Sequence, residues 1–126
     1  MDTILIIDDE KPILDMFQLF LGFYGYTVLL AESGATGLEI FRKERPPIVF
    51  LDIKMPGMDG FEVLKQIKDI CPDTEIILIT GHGDKKLAEQ AKRLQVSDFI
   101  NKPFEKGSLD KALERLAQRR KDKTGI

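Results

Sequence analysis

The sequence predicts an α/β domain built on a parallel sheet with helices on both faces. Five short apolar runs alternate with five segments of helical periodicity, and strands separated by helices of about 10–15 residues are typical of βαβ units. Right-handed crossovers between such strands give a parallel sheet. The 126 residues suit one domain. We expect residues 1–120 to form that domain and residues 121–126 to be a tail or the start of a linker.

The predicted strands differ in their apolar content. They run over Ile4 to Ile7, Thr27 to Ala31, Ile48 to Leu51, Ile76 to Ile79 and, more weakly, Asp98 to Ile100. The first, third and fourth are continuously apolar, as expected for strands buried on both faces, whereas the second and fifth carry Thr27 and Asp98. The three apolar strands are therefore predicted to lie at the centre of the sheet.

Apolar residues recur at helical spacing between the strands. The clearest stripe consists of Ile13, Met16, Phe17, Phe20, Leu21 and Tyr24. Pro12 suits the first turn of this helix, and Gly25 suits its end. Shorter stripes beginning at Ala35, Phe61, Leu87 and Leu109 predict four more helices, and Asp59 is placed to cap the third helix.

Composition argues against several classes of protein. A net charge of −2, from 19 basic and 21 acidic residues, gives no overall field that would draw the chain onto nucleic acid or an anionic membrane. The uncharged run of 16 residues between Asp15 and Glu32 is too short and too interrupted to span a bilayer. A single cysteine, Cys71, excludes an intramolecular disulfide and fits a reducing compartment. We expect a cytoplasmic protein that contacts neither membrane nor nucleic acid directly.

Polar residues follow four of the predicted strands. Strand 1 ends in Asp8-Asp9-Glu10, strand 3 in Asp52, strand 4 in Thr80-Gly81 and strand 5 in Asn101-Lys102-Pro103. The carboxyl ends of parallel strands share one edge of the sheet, where ligands of such folds bind. We therefore expect these side chains to converge.

Converging carboxylates need a positive partner, because two unit charges about 4 Å apart repel by roughly 4 kcal/mol at an effective dielectric near 20. Mg²⁺ suits the site, since it prefers oxygen ligands and commonly combines one or two carboxylates with a phosphate. Lys102 would add a second positive charge and Thr80 a hydroxyl donor. This set indicates a phosphoryl-transfer site in which Asp52 attacks phosphorus and forms an acyl phosphate.

Together these residues resemble a known family. Asp8-Asp9, Asp52, Met55-Pro56-Gly57-Met58-Asp59-Gly60, Thr80 and Lys102-Pro103-Phe104 are similar, in this order, to the receiver domain of bacterial two-component response regulators, over about residues 3–118. The resemblance implies a flavodoxin-like (βα)5 fold with strand order 2-1-3-4-5. It also implies transfer of a phosphoryl group to Asp52 from the phosphohistidine of a sensor histidine kinase or phosphotransfer protein. Such a domain is a phosphoacceptor switch whose only chemistry is gaining and losing that group.

The resemblance also implies a role for each site residue. Asp9, Asp52 and the backbone carbonyl of Lys54 would bind Mg²⁺, with Asp8 helping through water. Lys102 would pair with the carboxylate or the phosphate, and Thr80 would reorient to hold a phosphate oxygen. Phe99 would be the switch aromatic that turns inward, which would remodel the face of helix 4, strand 5 and helix 5. That face would signal to an output domain or downstream protein, with homodimerisation on phosphorylation as a further expectation.

Two details concern positions around the site. Lys54 and His82, two residues after Asp52 and Thr80, are hypothesised to tune the lifetime of the phosphate. Pro103 is expected to follow a cis peptide bond. One departure from the family is Gln95-Val96, where a glycine and an alanine are usual, because glutamine suits a left-handed helix end poorly.

Several alternatives remain open from sequence. Asp8 or Asp9 could instead cap the first helix, and Lys102 could be a simple salt-bridge partner. The basic tail, Arg119 to Lys123, fits a solvated last turn, a linker or a contact patch. A phosphatase of the haloacid dehalogenase type would need an acid where Lys54 stands. An unphosphorylated docking module would be expected to lack the acidic pair or the lysine. Whether the chain is a stand-alone receiver or part of a longer regulator, including one that controls transcription, is also open.

Overall fold

The structure, a computed structural model, describes residues 2–55, 59–81 and 84–124 of the chain. Strands and helices alternate throughout this part of the sequence. The strands are β1 (Thr3–Ile7), β2 (Thr27–Ala31), β3 (Ile48–Asp52), β4 (Glu75–Thr80) and β5 (Asp98–Asn101). The helices are α1 (Lys11–Phe23), α2 (Gly34–Glu44), α3 (Gly60–Ile70), α4 (Lys85–Lys92) and α5 (Lys106–Thr124). The predicted alternation is confirmed, and the strands differ from prediction only by a residue or so at their ends.

The strands form one parallel sheet in the order β2-β1-β3-β4-β5. This is the flavodoxin-like order that the family resemblance implied. The three apolar strands β1, β3 and β4 lie at the centre, as predicted from their composition, and β2 and β5 form the edges. In the parallel register Asp52 lies opposite Ile79 and Thr80 lies opposite Asn101, so the carboxyl ends of the strands are level with one another.

Side chains that alternate along the strands build a separate hydrophobic layer on each face of the sheet. Ile4, Ile6 and Phe50 pack with α1 and α5 on one face, whereas Leu5 and Ile7 pack with α2, α3 and α4 on the other. The two layers fix the sheet between the helices, and the residues that follow each strand are positioned by this buried core.

Helix ends near the carboxyl edge are held by specific contacts. The N-cap of α1 is Glu10, without a side-chain capping bond, so neither Asp8 nor Asp9 caps this helix and that alternative is wrong. Asp59 caps α3, as predicted, by accepting a hydrogen bond from the Phe61 N–H at 2.9 Å. Gly60 lies so close to the main chain that a Cβ there would collide with the Ile53 carbonyl. That close approach fixes α3 against the segment that follows Asp52.

The junction between α4 and β5 contains a left-handed residue that is not glycine. Gln95 has a φ of 60°, and the Ser97 N–H then bonds to the Ile76 carbonyl oxygen at 2.8 Å as the chain joins the sheet. The backbone therefore keeps the turn that a glycine usually makes, although a side chain at this φ is unfavourable.

The last helix runs to Thr124, beyond residue 120, and its basic residues lie against the amino-terminal edge of the sheet. Arg119 Nε is 3.3 Å from Glu75 Oε2, and Arg120 Nε is 2.9 Å from Asp2 Oδ2. Lys123 Nζ donates to the Asp73 carbonyl oxygen at 2.6 Å. These contacts dock the end of α5 onto the domain, which differs from the alternative of a simply solvated last turn.

Cys71 is a free cysteine that packs, half-buried, against the core layer on the α2, α3 and α4 side. Within the described ranges, no helix combines the length and the apolar character needed to cross a bilayer.

Candidate functional site

Three carboxylates meet at the carboxyl edge of the sheet. Asp8 and Asp9 follow β1, and Asp52 is the last residue of the adjacent strand β3. One carboxylate oxygen from each lies within 4.8 Å of the other two. Asp8 and Asp52 are buried, whereas Asp9 is exposed. The parallel register of β1 and β3 thus produces the acidic cluster that the sequence predicted at this edge.

Asp52 is held by both of its carboxylate oxygens. Oδ1 accepts a hydrogen bond from the Lys54 N–H at 3.0 Å, and Oδ2 accepts one from Lys102 Nζ at 3.1 Å. Burial raises the pKa of the Asp52 carboxyl above its usual value, and the bonds from Lys54 and Lys102 offset this only in part. The chain therefore keeps a partly desolvated carboxylate at a strand end, next to a cation.

Lys102 supplies that cation and contacts three acids. Its Nζ lies 2.8 Å from Glu10 Oε2, 3.1 Å from Asp52 Oδ2 and 3.3 Å from Asp8 Oδ2. Burial alone would lower the pKa of Lys102, but the hydrogen bonds to Glu10 and Asp52 outweigh burial and raise it. The ammonium group is therefore charged, and it neutralises part of the acidic cluster.

The backbone around Lys102 is anchored on both sides. The Lys102 N–H donates to the Thr80 carbonyl oxygen at 2.7 Å, and the Lys102–Pro103 peptide bond is cis, as expected. Phe104 then packs edge-to-face on Phe17, with ring centroids 5.2 Å apart. The lysine is therefore aimed from β5 toward the ends of β1 and β3.

Asp8 is fully buried and only partly hydrogen-bonded. Its Oδ1 accepts a bond from the Glu10 N–H at 2.9 Å, whereas Oδ2 makes no hydrogen bond and has only the longer ion pair with Lys102. Burial raises the pKa of Asp8 to about 6, and the negative charge of Asp52 adds to the increase. An ionised carboxylate in this position needs further positive charge.

The donor set fits a hard divalent cation such as Mg²⁺. All three candidate side chains offer oxygen, one of them is exposed toward solvent, and Asp8 Oδ2 is a buried oxygen without a hydrogen bond. A lysine ammonium within 3.3 Å of Asp8 and Asp52 already shows that this position favours positive charge. Asp8, Asp9 and Asp52 are brought together as predicted, while the metal itself stays a prediction.

Thr80 ends β4 on the other side of Asp52 and is buried. Its Oγ1 donates a hydrogen bond to Asn101 Oδ1 at 2.7 Å, across the β4–β5 pair. Thr80, Asn101 and Lys102 line a cleft of about 350 Å³ with Gly81, Asp84 and the first residues of α4. Open space therefore adjoins Thr80 at the carboxyl ends of β4 and β5.

The loop after Thr80 is linked to the segment after Asp52. Asp84 is buried, and its Oδ2 accepts a hydrogen bond from the Gly81 N–H at 2.7 Å. Its Oδ1 lies 4.0 Å from Lys54 Nζ. His82 lies outside the residues that the structure describes, as do Pro56, Gly57 and Met58. The hypothesis that His82 tunes the lifetime of the phosphate therefore stays a prediction.

Phe99 lies on β5, two strand positions before Asn101, and is half-buried. It packs against the core layer, and Lys92 Nζ of α4 is 5.8 Å from the centre of its ring. This places Phe99 on the face formed by α4, β5 and α5. Its inward turn stays a prediction.

Three residues of the site had no role in the sequence analysis. Glu10 and Asn101 were recognised only as parts of strand ends, yet they are the partners of Lys102 and Thr80. Asp84, which accepts the hydrogen bond from the Gly81 N–H, was not singled out from sequence. The only hint in the sequence was that these residues follow strands. Glu10 is 92 residues from Lys102, Asn101 is 21 from Thr80 and Asp84 is 3 from Gly81, and such spacing alone does not show which side chains meet.

Comparison with known proteins gives a consistent family. A family model described as response regulator receiver domain matches residues 4–114. The chain is 36% identical over 104 residues to sporulation initiation phosphotransferase F of Bacillus subtilis (strain 168), covering 82% of this chain and 84% of that protein. It is 34% identical over 111 residues to transcriptional regulatory protein GlrR of Escherichia coli (strain K12), covering 88% of this chain.

The chain spans only 25% of the length of GlrR. Among solved structures, a response regulator receiver domain protein from Clostridium thermocellum superimposes with a TM-score of 0.88 at 35% identity, covering 96% of this chain and 98% of that one. The similarity therefore extends over both the fold and the strand ends described above.

Proposed function

This chain belongs to the response regulator receiver domain family of two-component systems, whose members are phosphorylatable, and on that premise we propose that Asp52 is its phosphoacceptor. The phosphoryl group would come from the phosphohistidine of a sensor histidine kinase or phosphotransfer protein, in a reaction that requires Mg²⁺. One observation carries the proposal: the partly desolvated Asp52 carboxylate lies among Asp8, Asp9 and the Lys102 ammonium, 3.1 Å away.

In the proposed reaction an oxygen of Asp52 attacks phosphorus. The new P–O bond forms as the P–N bond of phosphohistidine breaks, and the electron pair of that bond returns to the imidazole nitrogen. Lys102 pairs with a phosphoryl oxygen and Thr80 donates a hydrogen bond to another. Asp9, Asp52 and the Lys54 carbonyl would hold Mg²⁺, with Asp8 acting through water, and the ion would neutralise charge on the phosphoryl oxygens. The cluster of Asp8, Asp9 and Asp52 supports this ligand set.

The proposed output is a change in the face of α4, β5 and α5. Thr80 would exchange its bond to Asn101 for one to the phosphoryl group, and Phe99 would turn toward the space that Thr80 leaves. Such a modification shifts an existing equilibrium only by its differential contacts with the two states, here those of Thr80 and Lys102. The cleft beside Thr80 supports this role.

The proposed partners are of two kinds. An apolar groove on α1 borders the site, because two of its lining residues, Pro12 and Phe104, come two residues after Glu10 and Lys102. The groove also includes Leu19 and Phe23, whose side chains are 78% and 87% exposed. This continuity supports docking there of the protein that carries phosphohistidine. The face of α4, β5 and α5 would address an output domain or a downstream protein, with homodimerisation on phosphorylation. The quarter-length match to GlrR supports an output domain, and the match over most of phosphotransferase F supports a stand-alone receiver.

The test is intact mass after incubation with acetyl phosphate, with and without Mg²⁺. The proposal expects a gain of about 80 Da, one phosphoryl group, that needs both Mg²⁺ and Asp52. Asp52→Asn is the matched variant, since it keeps the shape of the side chain. An equal gain in the variant would contradict the assignment, and no gain in either protein would favour the unphosphorylated docking module.

A further inference from the structure

Glu10 is the closest partner of Lys102, although neither the acidic cluster nor the proposed metal set includes it. Its Oε2 is 2.8 Å from Lys102 Nζ, compared with 3.1 Å for Asp52 and 3.3 Å for Asp8. The side chain of Glu10 is 56% exposed, whereas those of Asp8 and Asp52 are 0% and 6% exposed. Lys102 thus bridges two buried acids and one acid at the solvent rim.

The main chain holds Glu10 in place for this contact. Its N–H donates to Asp8 Oδ1 at 2.9 Å, and its carbonyl oxygen accepts the first bonds of α1, from the N–H groups of Ile13 and Leu14. The carboxylate therefore projects from a fixed point between β1 and α1. A mobile surface acid would not be positioned in this way by both a strand end and a helix start.

Two of the three N–H donors of the Lys102 ammonium group bond to Glu10 and Asp52, and Asp8 Oδ2 lies farther away at 3.3 Å. When Asp52 carries a phosphoryl group, its bond from Lys102 passes to a phosphoryl oxygen, and Glu10 is the acid that still draws the ammonium group toward the solvent rim. Asp8 is buried, so an unpartnered carboxylate there is costly, whereas Glu10 at the rim is rehydrated cheaply. The contact with Glu10 is the one that yields.

We propose that Glu10 is a positioning residue that competes with the phosphoryl group for the Lys102 ammonium. In the resting domain Glu10 holds Lys102 toward the rim, and on phosphorylation Lys102 leaves Glu10 for a phosphoryl oxygen. Glu10 thereby lowers the affinity of the site for a phosphoryl group and moderates the stability of the phosphorylated state. This inference rests on the proposed function of Asp52 and adds a residue that sets its equilibrium.

The test uses beryllofluoride, a phosphoryl mimic, titrated at saturating Mg²⁺ and followed by ¹⁹F NMR of the bound fluorides. Glu10→Gln keeps the shape of the side chain and removes its charge, so we expect beryllofluoride to bind about two- to tenfold more tightly, the range for a partly exposed charged contact. The matched control is Asp15→Asn, which removes the same charge from the exposed Lys11–Asp15 pair on α1 and should leave the affinity unchanged.

A double-mutant cycle separates competition for Lys102 from simple charge repulsion. In a Lys102→Ala background, Glu10→Gln should no longer tighten binding, because the shared partner is gone. Unchanged or weaker binding by Glu10→Gln alone would overturn the inference, as would an equal gain in the Lys102→Ala background. If the wild type itself bound no beryllofluoride, the proposed function would fail; wild-type binding without the Glu10 effect would remove this inference alone.

Discussion

At the scale of single residues, the burial of Asp8 makes the stability of the folded state depend on pH. It is fully buried, and burial together with the charge of Asp52 raises its pKa to about 6, from 3.8. A raised pKa means that the folded state binds a proton more tightly than the unfolded state. The stability that Asp8 contributes is therefore complete below its unfolded pKa and is lost as the pH rises through about 6.

This linkage gives a prediction for metal-free protein. Between about pH 4 and pH 7, the free energy of unfolding should fall by up to roughly 3 kcal/mol through Asp8, and Asp8→Asn should remove that part of the pH dependence. Urea unfolding in EDTA at a series of pH values measures it. If the free energy of unfolding depended on pH in the same way in the wild type and in Asp8→Asn, Asp8 would be ionised in the folded state without loss of stability. That result would contradict the prediction.

Thr80 is a second residue whose role rests on one contact, the bond from its Oγ1 to Asn101 Oδ1. We expect Thr80→Val, which keeps the shape but not the hydroxyl, to be phosphorylated at Asp52 and to lose the response of Phe99. Amide NMR shifts of Phe99 on adding beryllofluoride report that response. The control is Thr74→Val at the residue just before β4, where the buried hydroxyl has no hydrogen bond, and it should respond like wild type.

At the scale of helices and strands, sequence was most informative where burial dictates residue type. The runs Ile4 to Ile7 and Ile48 to Leu51 predicted central strands because strands covered on both faces have no polar positions. The strand ends then placed Asp8, Asp9, Asp52, Thr80 and Lys102 at one edge. The backbone at Gln95 could not be predicted, because the same residue elsewhere adopts ordinary helical angles and only the demands of the α4–β5 junction impose a φ of 60°.

Gln95 gives a prediction at this scale. A side chain in the left-handed region costs about 1–2 kcal/mol, and glycine would remove this cost. Glycine also has greater conformational freedom in the unfolded chain, which cancels part of the gain in stability. Gln95→Gly should therefore raise the free energy of unfolding by about 0.5–1 kcal/mol, measured by urea denaturation. Arg93→Gly, two residues earlier at a φ of −69°, is the control and should destabilise. Equal effects of both substitutions would contradict this account.

At the scale of the whole molecule, charged pairs join parts of the chain that are distant in sequence. Glu75 at the start of β4 is buried, and its carboxylate contacts Arg119 of α5 and the Ser97 hydroxyl. Asp98 on β5 pairs with Arg115 at 2.6 Å. Sequence placed Arg119 in a tail of uncertain role, since helical spacing does not show which acid a basic residue reaches. The contacts instead make the end of α5 part of the folded domain.

Arg119 therefore has a predicted effect on stability. Arg119→Met keeps the length of the side chain but removes the charge beside a buried carboxylate, and we expect a loss of about 1–3 kcal/mol in the free energy of unfolding. Arg115→Met, at a side chain that is 48% exposed, should cost less than about 1 kcal/mol. Thermal and urea unfolding of both variants measure the difference, and a greater loss for Arg115 would reverse the argument.

The central claim is that Asp8, Asp9, Asp52, Lys102 and Thr80 form one site around a phosphoryl group and Mg²⁺. A crystal structure with Mg²⁺ and beryllofluoride tests it most directly. The account predicts beryllofluoride bound to the Asp52 carboxylate, Mg²⁺ held by Asp9, Asp52 and the Lys54 carbonyl, and Lys102 and Thr80 in contact with fluorine. Beryllofluoride bound elsewhere, or an Asp52 complex in which Thr80 keeps its bond to Asn101 and Lys102 its bond to Glu10, would contradict it.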